Sequence, residues 1–177
     1  WYAGSTEAVS YDISDPGNAV EAGRVTQSGT YYSSRMADGY LYLFSNYSIP
    51  WEFMENMERD KPETYVPLVN NEAVAEKDIC MPLIPAGREY TVVTSIDMDR
   101  PDRAADSKAI LSQGGMLYVS NENIYYYETR WSGFSGGPSL IRDTEQTTIR
   151  RISYRDGQLK PQSQGKISGY IHDSFSI

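Results

Sequence analysis

The chain has 177 residues, 40% of them hydrophobic and 23% charged, with a formal net charge of −8. This composition excludes a disordered chain, and the length suffices for one ordinary domain with a core. The negative charge argues against a nucleic-acid partner, because phosphate recognition needs a basic field, and a lone cysteine, Cys80, excludes an internal disulfide framework and a cysteine-cluster zinc site.

In chain order, residues 7–13 alternate around Val9, Tyr11 and Ile13 and predict a strand. Asp15-Pro16-Gly17-Asn18 is a turn cluster, and residues 19–26 return. Residues 31–36 form a third strand, and Asp38-Gly39 is a two-residue hairpin turn leading into a fourth over 40–46. Residues 50–88 hold five prolines and a charged stretch. They predict an insertion, with a short helix near 51–58 and irregular or short extended pieces after it. Strands resume over 89–98, 106–111, 116–120 and 124–128. A second insertion, rich in Gly and Ser, covers 129–146. Strands at 147–154 and 158–163 flank Arg155-Asp156-Gly157, and another begins at Lys166.

A dozen short strands, a turn that opens an aromatic-rich strand at 38–47 and again at 114–127, and acidic proline-containing turns at 12–16 and 97–101 point to an all-β fold of blade type. We expect a single segment of a β-propeller over residues 1–177. Two four-stranded blades lie at about 31–111 and 114–165, partial blades flank them, and the insertions fall at 50–88 and 129–146. The abundance of tyrosine, 15 residues, suits half-buried strand faces. A start at Trp1 without a Met reads as a mature or excised piece, with no signal peptide and no membrane-inserting run in the segment.

Motifs with chemical content also have plainer structural roles. Gly133-Phe134-Ser135-Gly136-Gly137 matches a nucleophile-elbow pattern, but the only histidine, His172, follows it, and the strand–turn–helix setting is missing; a Gly/Ser loop is the better reading. Asp97, Asp99 and Asp102 fail the EF-hand spacing and read as solvated turn acids. Asn46-Tyr47-Ser48 is a short glycosylation match. Arg150, Arg151 and Arg155 read as a solvated strand edge that discourages pairing. The residues point to no catalytic group, cofactor or metal ligand.

Several strings resemble one family: secreted bacterial and archaeal proteins with a C-terminal β-propeller domain distantly related to WD-type repeats. The matching stretches are Gly29–Met36, Tyr40-Leu41-Tyr42, Asn46-Tyr47, Tyr65-Val66-Pro67, Tyr90–Asp97, Asp106-Ser107-Lys108, Leu117–Ser120 and Gly165–Tyr170 running to Phe175-Ser176. Ser168 stands where a proline is usual and Ile177 where a methionine is usual. The resemblance implies a propeller fold, a secreted or cell-surface location and a longer parent protein, and it supplies no catalytic residue or ligand. The expected function is a non-enzymatic extracytoplasmic binding scaffold, with a propeller-based hydrolase using carboxylates or a metal, or a structural envelope component, as alternatives. Loop aromatics Trp51, Phe53, Tyr65, Trp131 and Phe134 are the candidate anchors for a protein or glycan partner. Open sheet edges predict self-association or pairing with the remainder of the parent chain.

Overall fold

The runs Tyr40–Ser48 and Glu89–Asp97 lack the apolar–polar alternation of a half-exposed strand. Such near-continuous runs suit strands covered on both faces. The computed structural model, which describes residues 4–51, 61–81, 87–112, 114–132 and 144–173, puts these two runs side by side at the centre of a sheet. The strands in chain order are β1 (Ser5–Asp12), β2 (Val20–Ser28), β3 (Thr30–Ala37), β4 (Tyr40–Ser48), β5 (Leu68–Val69), β6 (Glu72–Ala73), β7 (Ile79–Cys80), β8 (Glu89–Asp97), β9 (Ala104–Ser112), β10 (Met116–Val119), β11 (Asn123–Ser132), β12 (Thr144–Arg155) and β13 (Gln158–Ser168). They form three sheets, ordered β1-β2-β5-β6, β3-β4-β8-β9-β7 and β10-β11-β12-β13. The chain divides into two compact units, Trp1–Gly114 with Arg155–Leu159, and Gly115–Tyr154 with Lys160–Ile177.

In the first unit, one apolar cluster joins the first two sheets. Val25 from β2 and Val66, Val69 and Val74 from the insertion meet Tyr47, Tyr90, Val92, Ile96, Ala109 and Leu111. Burying side chains of this size is worth about 1.5–3 kcal/mol each. A polar link crosses the same core: the buried Gln27 donates from Nε2 to Ser45 Oγ (2.8 Å), which donates to Ser28 O (2.6 Å). The opposite face of the second sheet is also buried, through Tyr42, Phe44, Val93 and Ile110. The turn Arg155–Leu159 docks on it. Ser95 Oγ donates to Gly157 O, Gly157 N donates to Tyr42 Oη (3.3 Å), and Leu159 N donates to Asp106 Oδ2 (2.8 Å).

Among its described residues the insertion is mostly irregular, as its prolines predict, yet it contributes β5, β6 and β7. The first sheet, expected as half a blade, thereby gains its third and fourth strands. These strands are two residues long, too short to carry a periodic signal. Asn70 and Asn71, both with positive φ (49° and 64°), turn β5 into β6. Asn70 also mimics a strand partner: its N–H donates to Thr26 O, and its Oδ1 accepts from Thr26 N, both at 2.9 Å. β7 runs parallel to β9 at the edge of the second sheet. Beside it the mostly buried Lys108 ammonium holds Asp106 (2.7 Å) and Asp78 (2.9 Å).

In the second unit, β11 and β12 pair over ten residues, and Ile124, Tyr126, Tyr127, Ile152 and Tyr154 are buried. The expected break near 163–166 is absent. β13 runs unbroken from Gln158 to Ser168, at the end of its sheet's strand order, where an edge tolerates Pro161. Arg150 is a correction. It lies on a strand flanked on both sides, not on a solvated edge, and its side chain is only 9% exposed. Its guanidinium donates to Glu128 Oε1 (3.2 Å) and Gln164 Oε1 (3.1 Å) and lies 6.0 Å from the Tyr126 ring centre. Alternation does place Arg150 and Ile152 on one face, but that face is buried, and charge pattern alone does not show this. Arg151 and Arg155 are exposed.

Three outcomes follow from this packing. Gly39 and Gly157 both sit second in Asp-Gly turns at positive φ (79° and 74°), but a Cβ at Gly39 meets nothing within 4 Å, whereas one at Gly157 comes 2.4 Å from the Tyr40 ring. Gly39→Ala should therefore lose only backbone strain, about 1–2 kcal/mol, and Gly157→Ala distinctly more in urea unfolding. Glu128→Ala leaves a buried guanidinium without its carboxylate and should cost about 3–5 kcal/mol, while the double change Glu128→Leu with Arg150→Met should recover most of that loss in thermal denaturation. Burial raises the hydroxyl pKa of Tyr47 and Tyr90 above 10.0. For Lys108, burial pulls the pKa down, but the hydrogen bonds it donates to Asp106 and Asp78 outweigh this and hold the ammonium above 10.5. All three folded values lie above the unfolded ones, so their stabilisation is complete below about pH 10 and is lost as pH rises through the folded values. Denaturant midpoints measured from pH 8 upward should stay level and then fall beyond pH 10, and a fall beginning below pH 9 would contradict this origin.

Candidate functional site

Hairpin tips are the places where backbone geometry is most tightly set by residue type. Three of them in the first unit surround a polar cleft of about 340 Å³. The β3–β4 tip carries Asp38-Gly39, the β8–β9 tip spans Met98–Arg103, and the third is Asp156-Gly157. Tyr40, Asp97, Arg100, Arg103, Asp156 and Gln158 line the cleft, and Ala104 and Ala105 supply a small apolar patch.

The frame is hydrogen-bonded throughout. Met98 N donates to Gly39 O (3.0 Å), which joins the first two tips. Asp97 organises the β8–β9 turn: Oδ1 accepts from Asp99 N (3.0 Å), and Oδ2 accepts from Arg100 Nε (3.1 Å) and Nη2 (2.7 Å). The Arg100 hydrogen bond, followed by that from the Asp99 amide, holds the Asp97 carboxyl below its usual range. The third tip is fixed by Ser95 and Tyr42, as described above. The Arg100 charge is thus engaged by Asp97. By contrast, the side chains of Arg103, Asp156 and Gln158 have no hydrogen bond or ion pair among the described residues. The cleft therefore presents a guanidinium, a carboxylate and an amide on a rigid rim. Such a lining can form directed hydrogen bonds, and the cleft's volume falls at the lower end of the roughly 300–1,000 Å³ of small-ligand pockets.

The loop aromatics do not line this cleft. Trp51 is 63% exposed, with the Arg88 guanidinium 5.9 Å from its ring centre. Tyr65 packs against the first unit's apolar cluster. Trp131 is paired with Glu145 in the β11–β12 ladder, and Phe53 and Phe134 lie outside the described residues, as does Ser135. His172 is exposed and stands edge-on to Tyr170, 6.1 Å between ring centres. Asn46 is in the paired strand β4, where its Oδ1 accepts from Thr91 Oγ1 (3.1 Å). No group of three or more His, Cys, Asp or Glu side chains among the described residues is placed to hold a metal ion, and no helix among them is long and apolar enough to cross a membrane.

Sequence reasoning treated Asp97 as a turn acid, which its hydrogen bonds support, and did not single out Arg103, Asp156 or Gln158 as a site. The available signal was the pair of Asp-Gly turns and the Asp97–Arg103 turn, but their convergence depends on tertiary contacts between residues some 60 positions apart, as in the Ser95–Gly157 bond.

The comparisons agree with this architecture. Neither the curated proteins nor the solved structures contain a match to the chain. A family model described as a beta propeller domain matches residues 1–177. With that match over its whole length, and three sheets of short, mostly antiparallel strands that form part of a propeller, the chain belongs to the beta propeller domain family.

Proposed function

We propose that this chain is a non-enzymatic binding scaffold of a secreted or cell-surface bacterial protein with WD-like repeats, and that the hairpin-tip cleft is its recognition surface. The sheets supply a rigid frame, and the tips present three side chains, Arg103, Asp156 and Gln158, that make no hydrogen bond among the described residues. The observation that carries this reading is the state of Arg103, Asp156 and Gln158: each lines the cleft, none has a side-chain hydrogen bond or ion pair among the described residues, and Arg103 acts on Asp97 only through its charge. A folded protein gains little from gathering unengaged charged groups around a concavity, whereas a ligand with matching donors and acceptors gains orientation and specificity there. The partner in this reading is a protein or a glycan. The family resemblance supports an extracytoplasmic setting, and the net charge of −8 speaks against nucleic acid. The edge strand β13, exposed at every residue after Leu159, favours association with a further copy or with the rest of a longer parent protein.

A fragment screen by amide NMR on the whole chain tests the reading. Small polar fragments should cluster on the amides of residues 38–40, 97–105 and 156–158. Hits scattered over the surface, or gathered instead around Trp51 and Arg88, would overturn the cleft as the recognition surface.

A further inference from the structure

We infer that the hairpin-tip cleft takes a neutral saccharide, the exposed end of a glycan, an inference that rests on reading the cleft as the recognition surface. The first argument is charge. The lining carries two carboxylates, Asp97 and Asp156, and two guanidiniums, Arg100 and Arg103, so the cleft has no net charge. An anionic ligand drawn to Arg103 would also meet Asp156, and a cationic one drawn to Asp156 would meet Arg103. A neutral polyhydroxylated ligand uses both without a like-charge contact.

The second argument is hydrogen-bond stoichiometry. A sugar hydroxyl both donates and accepts. Arg103 offers donors only, Asp156 acceptors only, and Gln158 both. All three are planar groups able to hold two neighbouring hydroxyls at once, and hydrogen bonds to ionised groups are the stronger kind. The third is shape. Tyr40, Ala104 and Ala105 provide a limited apolar wall for the C–H face of a sugar ring, while most of the lining is polar, unlike the predominantly apolar pockets of drug-like ligands. The tips are also ordered before binding. Asp156 is held at φ +49° in a turn fixed by the Gly157 hydrogen bonds to Ser95 and Tyr42, so little freedom is lost when a ligand arrives.

The test uses the intact chain and a panel of neutral sugars: glucose, galactose, mannose, N-acetylglucosamine and their β-linked disaccharides. Each is titrated while amide shifts are followed, with the glycine zwitterion as the charged comparison. At least one sugar should move the amides of residues 40, 103–105 and 156–158, and should do so at lower concentration than glycine. Asp156→Asn keeps a residue that tolerates positive φ, and Arg103→Gln changes an exposed side chain, so both should fold. Each should weaken the sugar about tenfold, while Trp51→Ala leaves it unchanged. Cleft shifts from polar fragments but from no sugar, or a stronger response to glycine, would overturn the saccharide assignment and leave the recognition surface standing. Shifts from neither class of probe would remove both, and sugar binding that survives both cleft variants would place it elsewhere on the molecule.

Discussion

The sheet β3-β4-β8-β9-β7 is the constraint on which the first unit depends, because its two central strands are covered on both faces. One face meets Val25 and the valines of the insertion, and the other carries the buried Tyr42, Phe44, Val93 and Ile110, with the turn Arg155–Leu159 hydrogen-bonded to Tyr42 and Ser95. A strand in that position has no solvent side on which to place polar residues. Of those it does carry, Ser45 is satisfied through Ser28 and Ser95 through Gly157, whereas Thr94 Oγ1 is buried without a hydrogen-bond partner among the described residues. The near-continuous apolar run of β4 and the Thr- and Val-rich run of β8 are the direct consequence.

The same requirement shapes the insertion and the tips. Two-residue strands have little stability of their own; β5 and β6 persist because Val69 and Val74 enter the shared core and because Asn70 copies the hydrogen bonding of a strand residue opposite Thr26. The turn at Asp156-Gly157 is rigid because its backbone is hydrogen-bonded to Ser95 and Tyr42 on the other face of the central sheet, with Gly157 against Tyr40. Rigidity at that turn, and at the Asp97-centred turn, leaves their outward side chains as fixed points around the cleft. The groups that hold the fold there, Ser95, Tyr42 and Gly157, are adjacent in the chain or in space to Arg103, Asp156 and Gln158, which line the cleft.

Electrostatics divide along the same line. Lys108 with Asp78 and Asp106, and Arg150 with Glu128, are largely buried and hydrogen-bonded, so removing one partner strands the other in a medium that solvates it poorly. Arg103 and Asp156 are exposed, and water solvates them at no such cost. Among the described residues, these charges are therefore structural where they are buried, and Arg103 and Asp156 stand solvated on their tips.

How much of this was legible beforehand follows from the range of each signal. Strand identity is local: alternation, β-branched and aromatic content and Asp-Gly turns act within a few residues, and they sufficed for the positions of β2, β3, β4 and β8 and for the all-β class, while the family came from the resemblance of whole stretches. The weaker signals failed where locality failed. β5, β6 and β7 are too short for a period and exist through contacts with strands up to 44 positions away, as in the Asn70–Thr26 bond. Pro161 and Gly165 read as a break, but an edge strand does not need every N–H. Arg150 reads as a surface charge, because a sequence shows which residues share a face and not what covers it. Trp51 and Tyr65 are equivalent aromatics in an insertion until packing separates them into an exposed ring and a core contact. The sequence by itself determined the strands, the turns and the absence of a basic field. Only the tertiary structure decided that three turns distant in the chain close on one cleft, because their convergence is set by burial of the central sheet, a free energy shared among residues that no local pattern connects.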